Sequence, residues 1–134
     1  MGTVVVGYVP KPEGEAALAR GIDEAKLRGA KVVVVNSHRG GQEFDKPAAA
    51  RADAEMEAVK AKLEGSGLKY DLRQLVRGFE PAEDLIGIAE DASAELIVIG
   101  LRRRSPVGKL ILGSNAQRIL LDAKCPVLAV KADE

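Results

Sequence analysis

The chain is expected to fold as one α/β domain of the doubly wound kind, a parallel sheet with helices on both faces. Three observations predict it. Short apolar runs rich in β-branched residues recur along the sequence. An amphipathic stretch of helical period lies between successive runs, and such β-α alternation builds parallel sheets. The whole length, residues 1–134, is that of one domain with a core large enough to stand without disulfide or metal staples.

The elements follow in order. Val4-Val5-Val6, before Gly7, marks a first strand near residues 3–8. Residues 13–28 put Leu18, Ile22 and Ala25 on one helical stripe. Val32-Val33-Val34-Val35 marks a second strand near 31–36. The stretch from Ser37 to Pro47, with His38, Gly40 and Gly41, reads as a loop. Residues 48–64 form a second helix on Met56, Val59 and Leu63. Tyr70 to Val76 alternates apolar and polar residues, which suits an edge strand near 69–76. Residues 81–93 form a third helix, with Pro81 at its first position, Glu83 in its first turn, and Leu85, Ile88, Ala89 and Ala92 on its stripe. Leu96-Ile97-Val98-Ile99, a strand near 95–99, ends at Gly100. Residues 114–123 form a fourth helix on Ala116, Ile119, Leu120 and Ala123, with Ser114 and Gln117 at capping-box spacing. Val127-Leu128-Ala129-Val130 completes the set near 126–131. Continuous β-branched runs of this length suit strands buried on both faces.

Composition excludes several roles. Twenty basic side chains balance twenty acidic ones, so the electrostatic footprint of a nucleic-acid-binding protein is missing. One cysteine and one histidine make neither an intrachain disulfide nor a zinc site of the usual kind. No apolar run approaches membrane-spanning length, and the N-terminus lacks the pattern of a secretory signal. A cytoplasmic protein is the expectation.

One segment carries chemistry. It runs from Gly100 through Arg102, Arg103, Arg104 and Lys109 to Gly113 and Ser114. A glycine ends a buried strand, and a second one opens a helix whose free N–H groups point back at the sheet edge. That is a ready anion site, and the intervening cations suit a polyphosphate. The spacing fits neither a P-loop nor a dinucleotide fingerprint. In a doubly wound sheet, ligands bind outside the carboxyl ends of the strands at the switch point.

The segment resembles the signature of the universal stress proteins, Gly-x2-Gly-x9-Gly-Ser/Thr after the fourth strand: Gly100, two residues, Arg103, nine residues, Gly113, Ser114. The resemblance extends over almost the whole chain. It includes Val5-Val6-Gly7-Tyr8, the helix from Pro12-Glu13-Gly14, Glu95 to Gly100, and Cys125-Pro126 to Val130. It implies a Rossmann-like five-stranded sheet of order 3-2-1-4-5 and a homodimer paired through the C-terminal strand. It also implies a stress-response role with an adenine nucleotide, ATP or AMP, between the first and fourth strands and no required cofactor. By position, Tyr8, Val9 and Ser37 would flank base and ribose. Gly100, Arg102, Arg103, Gly113, Ser114 and Asn115 would surround the phosphates. Two departures mark this chain. Val9-Pro10-Lys11 stands where ATP-binding members usually have Asp-Gly-Ser, so ATP is expected to bind more weakly here, and Lys11 is a poor helix cap. Arg103 replaces the second signature glycine. It either closes the phosphate path or supplies a charged contact in place of backbone donors.

Plainer readings stand beside these. Ser114 reads equally as a helix cap, Arg102 to Arg104 as a solvated loop, and Gly100 and Gly113 as turn residues. Cys125 reads as a small buried hydrophobe and His38 as an exposed loop residue. Glu13, Glu15, Asp23 and Glu24 read as a solvated helix face. No nucleophile with a base and an orienting group is evident, so binding without turnover is expected. A dimeric interaction protein that holds no nucleotide is the alternative, and a slow adenine-nucleotide hydrolase the third reading.

Overall fold

The computed structural model describes residues 2–39, 46–77, 81–101 and 113–132. Along the chain run β1 (Thr3–Gly7), α1 (Pro12–Arg28), β2 (Lys31–Arg39), α2 (Lys46–Ser66), β3 (Tyr70–Arg77), α3 (Pro81–Asp91), β4 (Leu96–Leu101), α4 (Ser114–Asp122) and β5 (Val127–Lys131). The strands make one sheet of order β3-β2-β1-β4-β5. Every neighbouring pair is parallel. This is the doubly wound α/β fold expected, with the switch point between β1 and β4.

Period-two alternation sorts the strand side chains onto two layers. Val4, Val6, Val32, Val34, Leu96 and Val98 pack with Leu18 and Ala25 of α1 and Met56, Val59 and Leu63 of α2. Val5, Val33, Val35, Ile97 and Ile99 pack with Leu85, Ile88 and Ala89 of α3 and Ile119 of α4. The valine runs are thus buried on both faces because each neighbouring residue serves a different layer. β3, the alternating stretch, lies at one edge. Its Asp71 and Arg73 form a 3.1 Å ion pair there, and charge discourages pairing along an edge strand.

Helix α1 lies unusually close to the sheet. A Cβ on Gly14 would overlap the Val9 carbonyl, one on Gly21 would overlap Val6, and one on Gly100 would overlap the Glu13 carbonyl. Lys11 precedes α1 without a side-chain cap, as expected, and Pro12 takes the first position.

Three expectations change. β2 continues through Ser37 and His38 to Arg39, because β3 is long enough to pair with it: Ser37 opposes Leu75, His38 opposes Val76 and Arg39 opposes Arg77. Ser37 and His38 therefore belong to a strand, not a loop. Glu13 is buried rather than solvated, since the first turn of α1 is pressed onto β4. Leu120, expected on the buried stripe of α4, is 38% exposed; Ile119 is buried there, with Ala116 and Ala123 partly buried beside it.

Candidate functional site

The carboxyl ends of β1, β2 and β4 open into a cleft on the α3/α4 side of the sheet. Gly7, Val9, Val35, Ser37, Ile99 and Gly100 form its floor, and the first turns of α3 and α4 form its walls. The described residues enclose about 150 Å³. An apolar cavity of roughly this size takes up a benzene-sized ring.

The two walls differ in charge. In α4 the first helical bond runs from the Gln117 N–H to the Gly113 carbonyl at 3.0 Å. The N–H groups of Ser114, Asn115 and Ala116 thus lack intrahelical acceptors, and the positive end of the helix dipole faces the cleft mouth. On the other wall, the first turn of α3 carries Glu83 and Asp84. Arg118 of α4 meets Glu83 at 2.5 Å and so spans the two helices. The Ser37 Oγ donates to Asp84 Oδ2 at 2.8 Å.

Of the residues expected at a site, Tyr8, Val9, Ser37, Gly100 and Asn115 line this cleft. Gly113 and Ser114 stand beside Asn115 at the start of α4. Arg102 and Arg103, with the rest of 102–112, lie outside the described residues. Gly100 has two neighbours on opposite faces, α1 on one and the cleft on the other. It sits within β4 opposite Val130, not in a turn. The expected capping box at Ser114 is not formed: Gly113 is the cap and no side chain bonds across it. Asp84 was not anticipated, because an acid in a helix's first turn is also what the dipole alone favours.

Tyr8 contributes to the cleft wall, but its phenol packs in the α1/α2 layer, where it donates to Glu15. Lys62 of α2 bonds the same carboxylate at 2.6 Å. Burial would raise the Glu15 carboxyl, but hydrogen bonds from Lys62 and Tyr8 outweigh it and leave the group below its ordinary value. Burial, the bond to Glu15 and the nearby carboxylates all push the Tyr8 phenol above its ordinary 10. A phenol raised on folding stabilises the fold fully below about pH 10 and withdraws that contribution as the pH rises further. The unfolding midpoint of the wild type should therefore fall more steeply above pH 10 than that of Tyr8→Phe, as read by chemical denaturation across alkaline pH. Equal slopes would remove Tyr8 from the account.

A larger cavity, about 290 Å³, lies at the opposite end of β4, between Ile86, Ala89, Ala94, Ala123 and Cys125. No helix N-terminus faces it. Burial pushes the Cys125 thiol up, against a smaller backbone hydrogen bond, so it is a poor nucleophile at neutral pH. Among the described residues, no group of three metal-ligating side chains is assembled, and no helix is long and apolar enough to cross a membrane.

The universal stress protein family model matches residues 1–131. A universal stress protein of Mycolicibacterium smegmatis is 45% identical over 128 residues, 96% of each chain. Among solved structures, the universal stress protein from Archaeoglobus fulgidus superposes with a TM-score of 0.84 at 36% identity, covering 98% of this chain and 99% of that one. An Archaeoglobus fulgidus universal stress protein in complex with dAMP superposes with a TM-score of 0.77 at 30% identity, covering 98% of each chain.

Proposed function

The chain belongs to the universal stress protein family, and we propose that within it this protein is a stress-response module that holds an adenine nucleotide in the cleft between β1 and β4 without turning it over. The observation that carries the reading is the cleft itself: a small, largely apolar pocket at the switch point with the N-terminus of α4 at its mouth. Support also comes from the similar Archaeoglobus fulgidus protein in complex with dAMP. The base lies over Val9 and Ile99 and the sugar beside Ser37. The phosphate meets the N–H groups of Ser114 and Asn115, where a helix N-terminus stabilises anions. Gly100 and Gly113 let backbone approach the ligand, and Tyr8 takes part through its main chain. Arg102 and Arg103 add charged contacts to the phosphate. Val9 supplies no polar group where an aspartate would bind the nucleoside, so ATP binds more weakly here than in members that carry the aspartate. No cofactor is required, and the working compartment is the cytoplasm.

Titration with AMP, ATP and inorganic pyrophosphate tests this. AMP should bind, and Asn115→Pro, which removes one helix N–H donor, should weaken it about tenfold, with Arg103→Ala giving a further loss. If AMP binds and neither change alters its affinity, the site is misplaced. If Arg103→Ala tightens ATP binding, the arginine blocks the phosphate path.

A second part of the reading concerns assembly. β5 lies at the edge of the sheet, and Val127, Leu128, Ala129 and Val130 are each only partly buried. We propose that two copies pair through this strand about a two-fold axis, which covers the edge.

A further inference from the structure

Among the described residues that line the cleft, Ser37 and Tyr8 carry hydroxyls, and the Tyr8 phenol is taken up by Glu15 in the other layer. The orientation of Ser37 is set. Its proton is committed to Asp84 Oδ2 at 2.8 Å, so toward a ligand the oxygen can only accept. A serine alone can either donate or accept; a serine bonded to a carboxylate accepts. The low local polarity of the surroundings strengthens that polarisation, since Val35, Ala82, Leu85 and Ile99 line the same pocket. Asp84 itself is half-buried in the first turn of α3, behind Ser37 and not among the lining residues. Its negative charge offsets the positive end of the α3 dipole, whereas no acid stands in the first turn of α4.

We propose that Ser37 is a specificity-determining acceptor and Asp84 its positioning residue. Together they fix which way round a ligand enters and select ligands that carry a hydroxyl or amino donor at the end away from the phosphate. The class so recognised is a phosphorylated nucleoside or sugar; simple inorganic anions lack the second handle. The inference rests on the nucleotide reading of the cleft and adds the determinant of polarity and selectivity.

Calorimetric titration of the full chain with AMP and with inorganic pyrophosphate separates the cases. Ser37→Ala and Asp84→Ala should each weaken AMP about tenfold and leave pyrophosphate unchanged or slightly tighter, because the first removes the accepting contact and the second removes the group that positions it together with one repulsive charge. Ser37→Thr, which keeps the hydroxyl on a strand residue, should retain most of the AMP affinity. Unchanged AMP affinity in both alanine variants overturns this inference alone and leaves the nucleotide reading standing. An equal loss for AMP and pyrophosphate also overturns it, because the residues would then serve the cleft's shape and not its selectivity. A wild-type protein that binds neither probe overturns the inference together with the nucleotide reading.

Discussion

Gly100→Ala should destabilise the protein by about 3 kcal/mol, at the upper end of the cost of forcing an extra carbon into a packed interior. For a chain of this length that is a fall of roughly 10 °C in thermal midpoint. The added methyl has no flexible side chain to displace. It meets the Glu13 carbonyl and, behind it, the backbone of the first turn of α1. Relief requires the helix to lift from β4, and Gly14 and Gly21 hold it down by the same kind of contact with Val9 and Val6. Gly113→Ala is the control. Among the described residues nothing lies within 4 Å of its Cβ position, and the backbone there is extended at φ −70 and ψ 164, so its cost is at most about 1 kcal/mol, that of a poorer cap. Urea denaturation of the two variants checks this. A Gly100→Ala variant within 0.5 kcal/mol of wild type, against the roughly 3 kcal/mol expected of overpacking, would mean that α1 stands further off than described.

The second large effect concerns the proposed pairing of two copies through β5. In β5 the Pro126 carbonyl accepts from Ile97, and the Ala132 N–H donates to Leu101. Parallel pairing then alternates, so the backbone groups of Leu128 and Val130 face β4 and those of Ala129 face outward. A proline is tolerated in an edge strand when its missing N–H would have pointed to the open side. Ala129→Pro should therefore keep the fold, as read by circular dichroism, while removing a donor that a partner strand needs. Two-fold symmetry counts the loss twice, which predicts that the dissociation constant rises at least about a hundredfold. Light scattering should show a dimer for the wild type at high micromolar concentration and a monomer for the variant. A wild type that is monomeric there, or a variant that remains dimeric, removes the edge pairing from consideration.

The strands were legible because runs such as Val32-Val33-Val34-Val35 are too apolar to be anything but doubly buried. The helices were legible from spacing, with ends off by two residues or fewer. What escaped reading was tertiary. Gly100 looks like a turn residue in sequence, and only the approach of Glu13 explains why no side chain fits inside β4. Ser37 and His38 look like loop residues beside Gly40 and Gly41, but the length of β3 extends the ladder through them. Ser114 and Gln117 have capping-box spacing, yet the cap of α4 lies one residue earlier, at Gly113. Asp84 gave no signal, because its meaning depends on a serine 47 residues away.

The central strand of the sheet, β1, precedes both of its neighbours along the chain. β1 can pair with β2 as soon as α1 has been made, but its other edge waits for Leu96, Ile97 and Val98. Until β4 is made, the chain therefore displays Val4, Val5 and Val6 along an open strand, the kind of surface that recruits other nascent chains. Closure by β4 ends that exposure and, in the same step, brings together both sides of the cleft. A translation product that stops short of residue 96 keeps the hazard and lacks one side of the cleft, so occupancy of the cleft reports that β4 is in place.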